Sequence, residues 1–204
     1  MNYLAHAFLA REEGEIFRLG NLMADHIKGP VEKALDFLPQ DYPEQLAEEL
    51  IAGIRYHRHI DHTVDHSPFI AELRDKFSGE YRRYAGIVLD MAWDHHLARS
   101  WSAYSGQSLS AFAENQYQLL IHYRDLQPDS MQQMVHYMVK NDWLVSYTKA
   151  EHIRKSLAGM SQRMRRKNKL AEAFVEIPRL ESDLSQKLPL LMDKLLRQAL
   201  RNPG

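Results

Sequence analysis

The sequence has no cysteine, which excludes disulfides, thiolate zinc sites, iron–sulfur clusters and a thiol nucleophile. Neither sign of charge is in excess: 26 Lys and Arg stand against 27 Asp and Glu, a formal net charge of -1 over 204 residues. That balance excludes a globally basic nucleic-acid binder and an acidic solvating chain, while leaving room for local patches. No apolar run approaches the ~20 residues that a membrane-spanning helix needs. The opening stretch MNYLAHAFLAREEGE has no basic leader and soon meets charges, so it is a poor secretory signal. A cytoplasmic protein is expected. Alternating runs rich in Val, Ile and Thr are nearly absent, so no strand is expected. A P-loop glycine cradle and a Gly-x-Ser-x-Gly elbow are both missing, which leaves no support for serine-hydrolase chemistry.

What is present suits a helical protein. Apolar residues make up 45% of the chain, enough for a core, and the length fits one domain over residues 1–204. The fold class expected is all-α, a compact multi-helix domain of about seven to nine helices at typical lengths. Pro43 sits at a favourable first helical position and opens a helix through residue 66. Ser67-Pro68 repeats that start signal, with Ser67 as N-cap. Residues 80–104 read as one long helix, Ser108 or Ser110 caps the next, and Pro128-Asp129-Ser130 begins another. A break is expected around Asn141-Asp142-Trp143, followed by a basic amphipathic helix over residues 149–166. From about residue 168 to 204 the pattern continues as a C-terminal helical extension, which Pro178 and Pro189 should break or kink.

Histidine is the residue in excess, at 11, and it is clustered. Residues 57–66 read HRHIDHTVDH. On a helix, residues four apart share a face, so His57 and Asp61 project together, with Asp65 one turn further. His62 and His66 form another pair, rotated toward solvent. A second cluster carries Asp90 and Asp94, followed by His95 and His96, beside an apolar stripe of Leu89, Trp93 and Leu97. Two carboxylates on a partly buried face repel unless a cation or a positive side chain lies between them. Near the N-terminus, His6 follows Asn2 by four residues, and Asp25 follows Asn21 by four on a helix expected after Gly20. Carboxylate and imidazole ligands without thiolate favour a hydrolytic or oxygen-chemistry metal, and phosphoester hydrolysis suits that equipment. Plainer roles exist beside this one: His6 as a hydrogen-bonded core histidine, Asp65 paired with Arg58, Arg74 or another arginine, Asp90 as a cap or a bridge between helices. Arg58 has two readings, a neutraliser of phosphate charge and a surface ion pair.

Read in order, NYLAH (2–6), GNLMAD (20–25), HRHIDHTVD (57–65), LDMAWDH (89–95), NDWLVSY (141–147) and LAGMSQR (157–163) resemble the acyl carrier protein phosphodiesterase family. The resemblance spans most of the chain. It implies an all-helical enzyme, a divergent relative of HD-type phosphohydrolases, although every Asp/His dipeptide here runs Asp-His. It implies a divalent metal, Mn2+ foremost, with Mg2+ and Fe2+ as other candidates. The reaction implied is hydrolysis of the 4′-phosphopantetheine–serine linkage of holo acyl carrier protein.

Carried onto this sequence, the motifs make His6, Asp25, Asp61, Asp94 and His95 the expected metal shell. His57 is expected to transfer a proton or contact phosphate, with ligation as its alternative role. Asp65 and Asp90 would orient ligands, and Asn2 and Asn21 would add hydrogen bonds. The partner implied is the acidic holo carrier protein, with no membrane or nucleic-acid partner, so a basic docking surface is expected. Two stretches qualify: Arg82-Arg83, and the run Arg154, Lys155, Arg163, Arg165, Arg166, Lys167 and Lys169. Two other classes stand beside this one, an HD-like phosphohydrolase of a small phosphate or nucleotide, and a non-enzymatic helical interaction module.

Overall fold

A computed structural model describes residues 2–199; the end of the expected C-terminal extension, residues 200–204, lies outside them. The described residues form eleven α-helices linked by six short 3-10 turns, with no strand. The all-α expectation holds. The helix number exceeds seven to nine mainly because two helices, α8 (Trp143–Ser146) and α10 (Glu176–Arg179), are single turns. No described helix is long and apolar enough to cross a membrane.

Of the two N-terminal helices, α2 (Glu15–Met23) packs along the long α3 (Glu44–Asp65), while α1 (Tyr3–Leu9) packs mainly on α2 and on the later α5 (Ala85–Arg99). The α2–α3 crossing is close because both helices carry glycine at the contact. A Cβ on Gly20 would stand 2.1 Å from the Leu50 carbonyl oxygen, and one on Gly53 would stand 2.0 Å from that of Phe17. Neither space could hold a methyl group, so the backbones themselves touch. One turn beyond Gly53 on the same face lies His57, which is how α3 delivers an imidazole to the end of α2.

Helix α5 (Ala85–Arg99) is the central element. Met91, Ala92, Trp93, Leu97 and Ala98 are all buried, so it is covered on nearly every side rather than along one stripe. The long helix expected over residues 80–104 is broken at both ends by 3-10 turns at Arg82–Tyr84 and Trp101–Ala103. Around this core lie α4 (Pro68–Asp75), α6 (Leu109–His122), α7 (Asp129–Lys140) and α9 (Ala150–Arg163). Ser108 caps α6, its side chain accepting from the Ala111 amide. Ser67 stands at the N-cap position of α4, but its buried hydroxyl makes no capping bond there. Asp142 takes the break before α8 in a left-handed conformation, φ 46°.

The last helix, α11 (Glu181–Ala199), runs through Pro189 without ending. Leu184, Leu188, Leu191, Met192 and Leu195 are buried in the same core as α1 and α5. That continuous buried face outweighs the one helical hydrogen bond a proline removes. Pro178, by contrast, lies in the single turn of α10, where the chain does break.

Candidate metal centre and adjoining groove

The N-terminal turn of α1 is fixed first. Asn2 caps it, accepting from the Tyr3 amide at 2.9 Å, and its amide group reaches Met91 on α5. His6, one turn on, is 1% exposed. The His6 ring stacks on that of His57, centroids 3.7 Å apart and planes within 9°. Asp61, one turn along α3 from His57, stands across both rings. Its Oδ1 is 3.0 Å from His6 Nε2, and its Oδ2 is 3.1 Å from His57 Nε2. Asp25, on the 3-10 turn Ala24–His26 that follows α2, adds Oδ1 at 3.4 Å from His57 Nε2. Asp25 was expected on a helix; the turn carries it to the exposed rim of the cluster.

Asn21 organises this group from behind. It is wholly buried, its side-chain amide donates to the His6 carbonyl at 2.9 Å, and its own carbonyl lies 2.7 Å from His57 Nδ1. A carbonyl only accepts, so His57 Nδ1 carries a hydrogen. The remaining nitrogen, Nε2, faces two carboxylates that also only accept. A neutral ring would aim a lone pair at two anions. The geometry therefore requires a cation at Nε2, either a proton or a metal ion.

The electrostatics follow. Burial alone would lower the His57 pKa, but Asp25 and Asp61 override it and lift the imidazole to about 9. Burial and the neighbouring His57 charge push His6 down to about 4. Burial opposes ionisation of Asp61, yet its contacts with His57 and His6 hold it well below the usual carboxylate range. Asp25 is lowered by its contact with His57.

His6, His57 and Asp61 each offer a ligand atom, all within 4.8 Å of one another. Two imidazoles and a carboxylate suit a divalent transition metal or Mg2+, and an imidazole N–H pinned to a backbone carbonyl is how metal-binding histidines are commonly oriented. His6 turns its Nε2 to the cluster, and its Nδ1 is buried without a hydrogen-bond partner among the described residues. The donor set fits a divalent ion.

The other expected residues lie elsewhere. Asp94 is wholly buried, and its two oxygens accept from the Leu4 and Ala5 amides at 2.8 and 3.1 Å. Burial pushes its carboxyl up to about 7 against those bonds. The Asp90/Asp94 repulsion inferred from sequence is thus met at Asp94 by backbone donors. Asp90 is half-buried, with its carboxyl raised by burial and by the charges of Asp61 and Asp65. His95 turns away: its Nδ1 is 2.6 Å from the Tyr147 carbonyl, and the residue lines a separate cavity of about 180 Å³ with His96, Arg99 and Glu181. Asp65 is exposed and pairs with Arg74, one of the partners expected for it. Arg58 donates to the Ile27 and Gly29 carbonyls and so clamps the turn that carries Asp25.

A groove of about 590 Å³ opens beside the cluster, lined by Tyr3, Asp25, Trp143, Tyr147, Lys155 and Arg163 among others. Sequence reasoning missed it, because its walls come from α1, α7, α8 and α9. Of the basic residues, Arg82 pairs with Asp75, Lys169 with Glu80, and Arg154 with Glu151. Arg83 lies over the Tyr84 ring. Arg163, Arg165, Arg166 and Lys167 have no carboxylate partner among the described residues.

Buried imidazoles around a carboxylate, with a groove at their rim, make a group that could hold a metal ion on a helical fold. A family model described as acyl carrier protein phosphodiesterase matches residues 1–195, and the chain belongs to that family. A protein of Escherichia coli named acyl carrier protein phosphodiesterase is 33% identical over 211 residues, covering 98% of this chain and 100% of its own. One of Serratia proteamaculans with the same name is 35% identical, covering 95% and 97%. One of Photorhabdus laumondii is 32% identical, covering 95% and 94%. No solved structure matches the chain.

Proposed function

We propose that this chain hydrolyses the phosphodiester between 4′-phosphopantetheine and a serine of holo acyl carrier protein, using a divalent ion held by His6, His57 and Asp61 with Asp25 beside them. The observation that carries the reading is His57 Nε2, facing two carboxylates while its Nδ1–H is tied to Asn21. The relatives' names supply the substrate. Mn2+ is the ion we favour, on the resemblance; nitrogen and oxygen donors of this kind also accept Fe2+ and Mg2+. The chain acts as one unit, since Leu170, Ala173 and the buried face of α11 share a core with α1 and α5.

A divalent ion, when bound, offsets negative charge on phosphoryl oxygens and makes water a competent nucleophile near neutral pH. The chain's own groups do the rest. Asn21 holds His57 in the tautomer that presents Nε2 inward. Asp61 bridges the two imidazoles. Asp25, on the groove side, is placed for an oxygen to accept a proton from the attacking water. Lys155 and Arg163 offset the diester charge in the groove. Water oxygen bonds to phosphorus as the phosphorus–serine oxygen bond breaks. The serine oxygen takes up a proton, and the products are apo carrier protein and 4′-phosphopantetheine. Arg163, Arg165, Arg166 and Lys167 receive the acidic carrier protein.

The test is incubation of the purified protein with holo acyl carrier protein and Mn2+, read by mass spectrometry, beside generic phosphodiester and nucleotide substrates. Loss of the phosphopantetheine mass from the carrier protein is expected. Intact holo protein across several divalent ions would overturn the reading, and preferential cleavage of a nucleotide would favour the small-phosphate class. Metal analysis of untagged protein that finds no ion retained would favour a non-enzymatic module.

A further inference from the structure

Three glycines lie well inside helices at or near the site, and one differs from the other two. At Gly20 and Gly53 the missing Cβ is replaced by backbone of the facing helix. At Gly159, in α9, nothing lies within 4 Å of the Cβ position and φ is not in the left-handed region. A glycine inside a helix costs ~1 kcal/mol relative to alanine, and no packing or turn at Gly159 requires it. What the missing side chain does is leave open space, and Gly159 lines the groove beside Asp25.

The same face of α9 carries Lys155, Ser156, Met160 and Arg163 along the groove, spaced one and two turns apart, about 12 Å of helix. The facing wall supplies Met134, Asn141 and Trp143. This mixture of thioether, indole, amide and hydroxyl, with cations on one side and a carboxylate at the rim, suits a linear ligand with apolar and amide segments and one anionic end. A purely apolar chain would leave the polar groups unpaired, and a compact polar metabolite would not fill the length.

We propose that this groove seats the pantetheine arm of the substrate, laid across the open position at Gly159 with its diester end toward Asp25. Gly159 is then a specificity-determining position, since a side chain there would occupy the arm's path. The inference rests on the phosphodiesterase reading above and goes further by assigning the site that reads the arm.

The experiment uses Gly159→Leu, a better helix former at an uncrowded position, with Ser156→Leu as a second block on the same face. Gly106→Leu, likewise open and outside the groove, is the control. Pantetheine is titrated into each protein, followed by tryptophan fluorescence: Trp143 is partly exposed in the groove, whereas Trp93 and Trp101 are buried. Separately, KM and kcat are measured on holo acyl carrier protein. Wild type and control should show saturable quenching. Both blocking variants should bind pantetheine at least tenfold more weakly and raise KM by a similar factor, with helical circular dichroism unchanged. Wild-type hydrolysis with unaltered binding and KM in both blocking variants would overturn the groove assignment alone. Wild-type protein that leaves the holo carrier protein intact would overturn the phosphodiesterase reading and this inference with it.

Discussion

Helices α3 and α5 carry the same sequence device, acidic and imidazole side chains in four-residue register, and put it to different uses. On α3, His57 and Asp61 face another imidazole and the Asp25 carboxylate, and His57 Nε2, set between two carboxylates with its Nδ1–H tied to Asn21, calls for a proton or a metal ion. On α5, Asp94 faces two backbone amides, which already satisfy it. The difference comes from packing. Helix α3 is buried along one side and its site face meets Asp25, which lines the groove, whereas the Asp94 carboxylate of α5 points inward and meets the start of α1. A buried carboxylate that already accepts from two backbone amides, as Asp94 does, needs no metal to be satisfied.

The comparison is broken most directly by exchanging which helix loses its acid. Asp61→Asn should lower hydrolysis of holo carrier protein by about 10³-fold or more and abolish metal retention, with little change in helicity, because it removes a ligand rather than packing. Asp94→Ala should instead cost stability, about 1–3 kcal/mol for each amide left unpaired at Leu4 and Ala5. Protein that does fold should keep its metal. Atomic absorption and thermal melts on the two variants separate the roles; a stable Asp94→Ala protein that had lost its metal would reverse the assignment.

The next effect concerns how α3 is seated. Gly53→Ala drives a methyl group against the Phe17 carbonyl and the Asn21 amide, 2.0 and 2.8 Å from the Cβ position. Overpacking of this kind costs roughly 1–3 kcal/mol. It should also shift Asn21 from His57 Nδ1 and weaken metal binding about 10–100-fold, the usual scale for a lost orienting contact. A melt and a metal titration read the two effects together. Unchanged affinity in a destabilised variant would show that the glycine serves packing alone.

The fold class, the α3 register and the capping of α6 by Ser108 were all legible in the sequence, since each depends on local spacing and local chemistry. So was the pairing of His57 with Asp61. What spacing could not show is the occupant of the opposite side. Nothing around Asp94 in sequence announces the Leu4 and Ala5 amides, some 90 residues away, and nothing around His95 announces the Tyr147 carbonyl. The groove is equally non-local. One signal was available and unused: Gly20 and Gly53, glycines inside otherwise good helices, mark the close crossing that aligns Asn21 with His57.

The pH dependence of the cluster sharpens the cation argument. The His57 pKa in the folded, metal-free protein is raised above its unfolded value, to about 9. Its stabilising contribution is therefore fully present below about pH 6.5 and is lost as pH rises through about 9. A metal at Nε2 must displace that same proton. Apparent metal affinity should rise about tenfold per pH unit between roughly 6.5 and 9, then level off, with one proton released on binding. Calorimetry in buffers of different ionisation enthalpy counts the proton. A flat affinity across that range would place the ion away from His57.

The smallest effect lies on the surface. Arg165 and Arg166 are exposed and have no carboxylate partner among the described residues, unlike Arg82 and Lys169, whose charges are spent on neighbouring acids. Unpaired cations near the groove cost little to desolvate against an acidic partner and act mainly on encounter. Reversing both, Arg165→Glu with Arg166→Glu, should raise KM for holo carrier protein several-fold at low salt while leaving kcat unchanged, and the difference should shrink as ionic strength screens the charges. An equal effect from reversing Arg82, which already holds Asp75, would mean that position along the surface, rather than freedom from an internal partner, determines where the carrier protein lands.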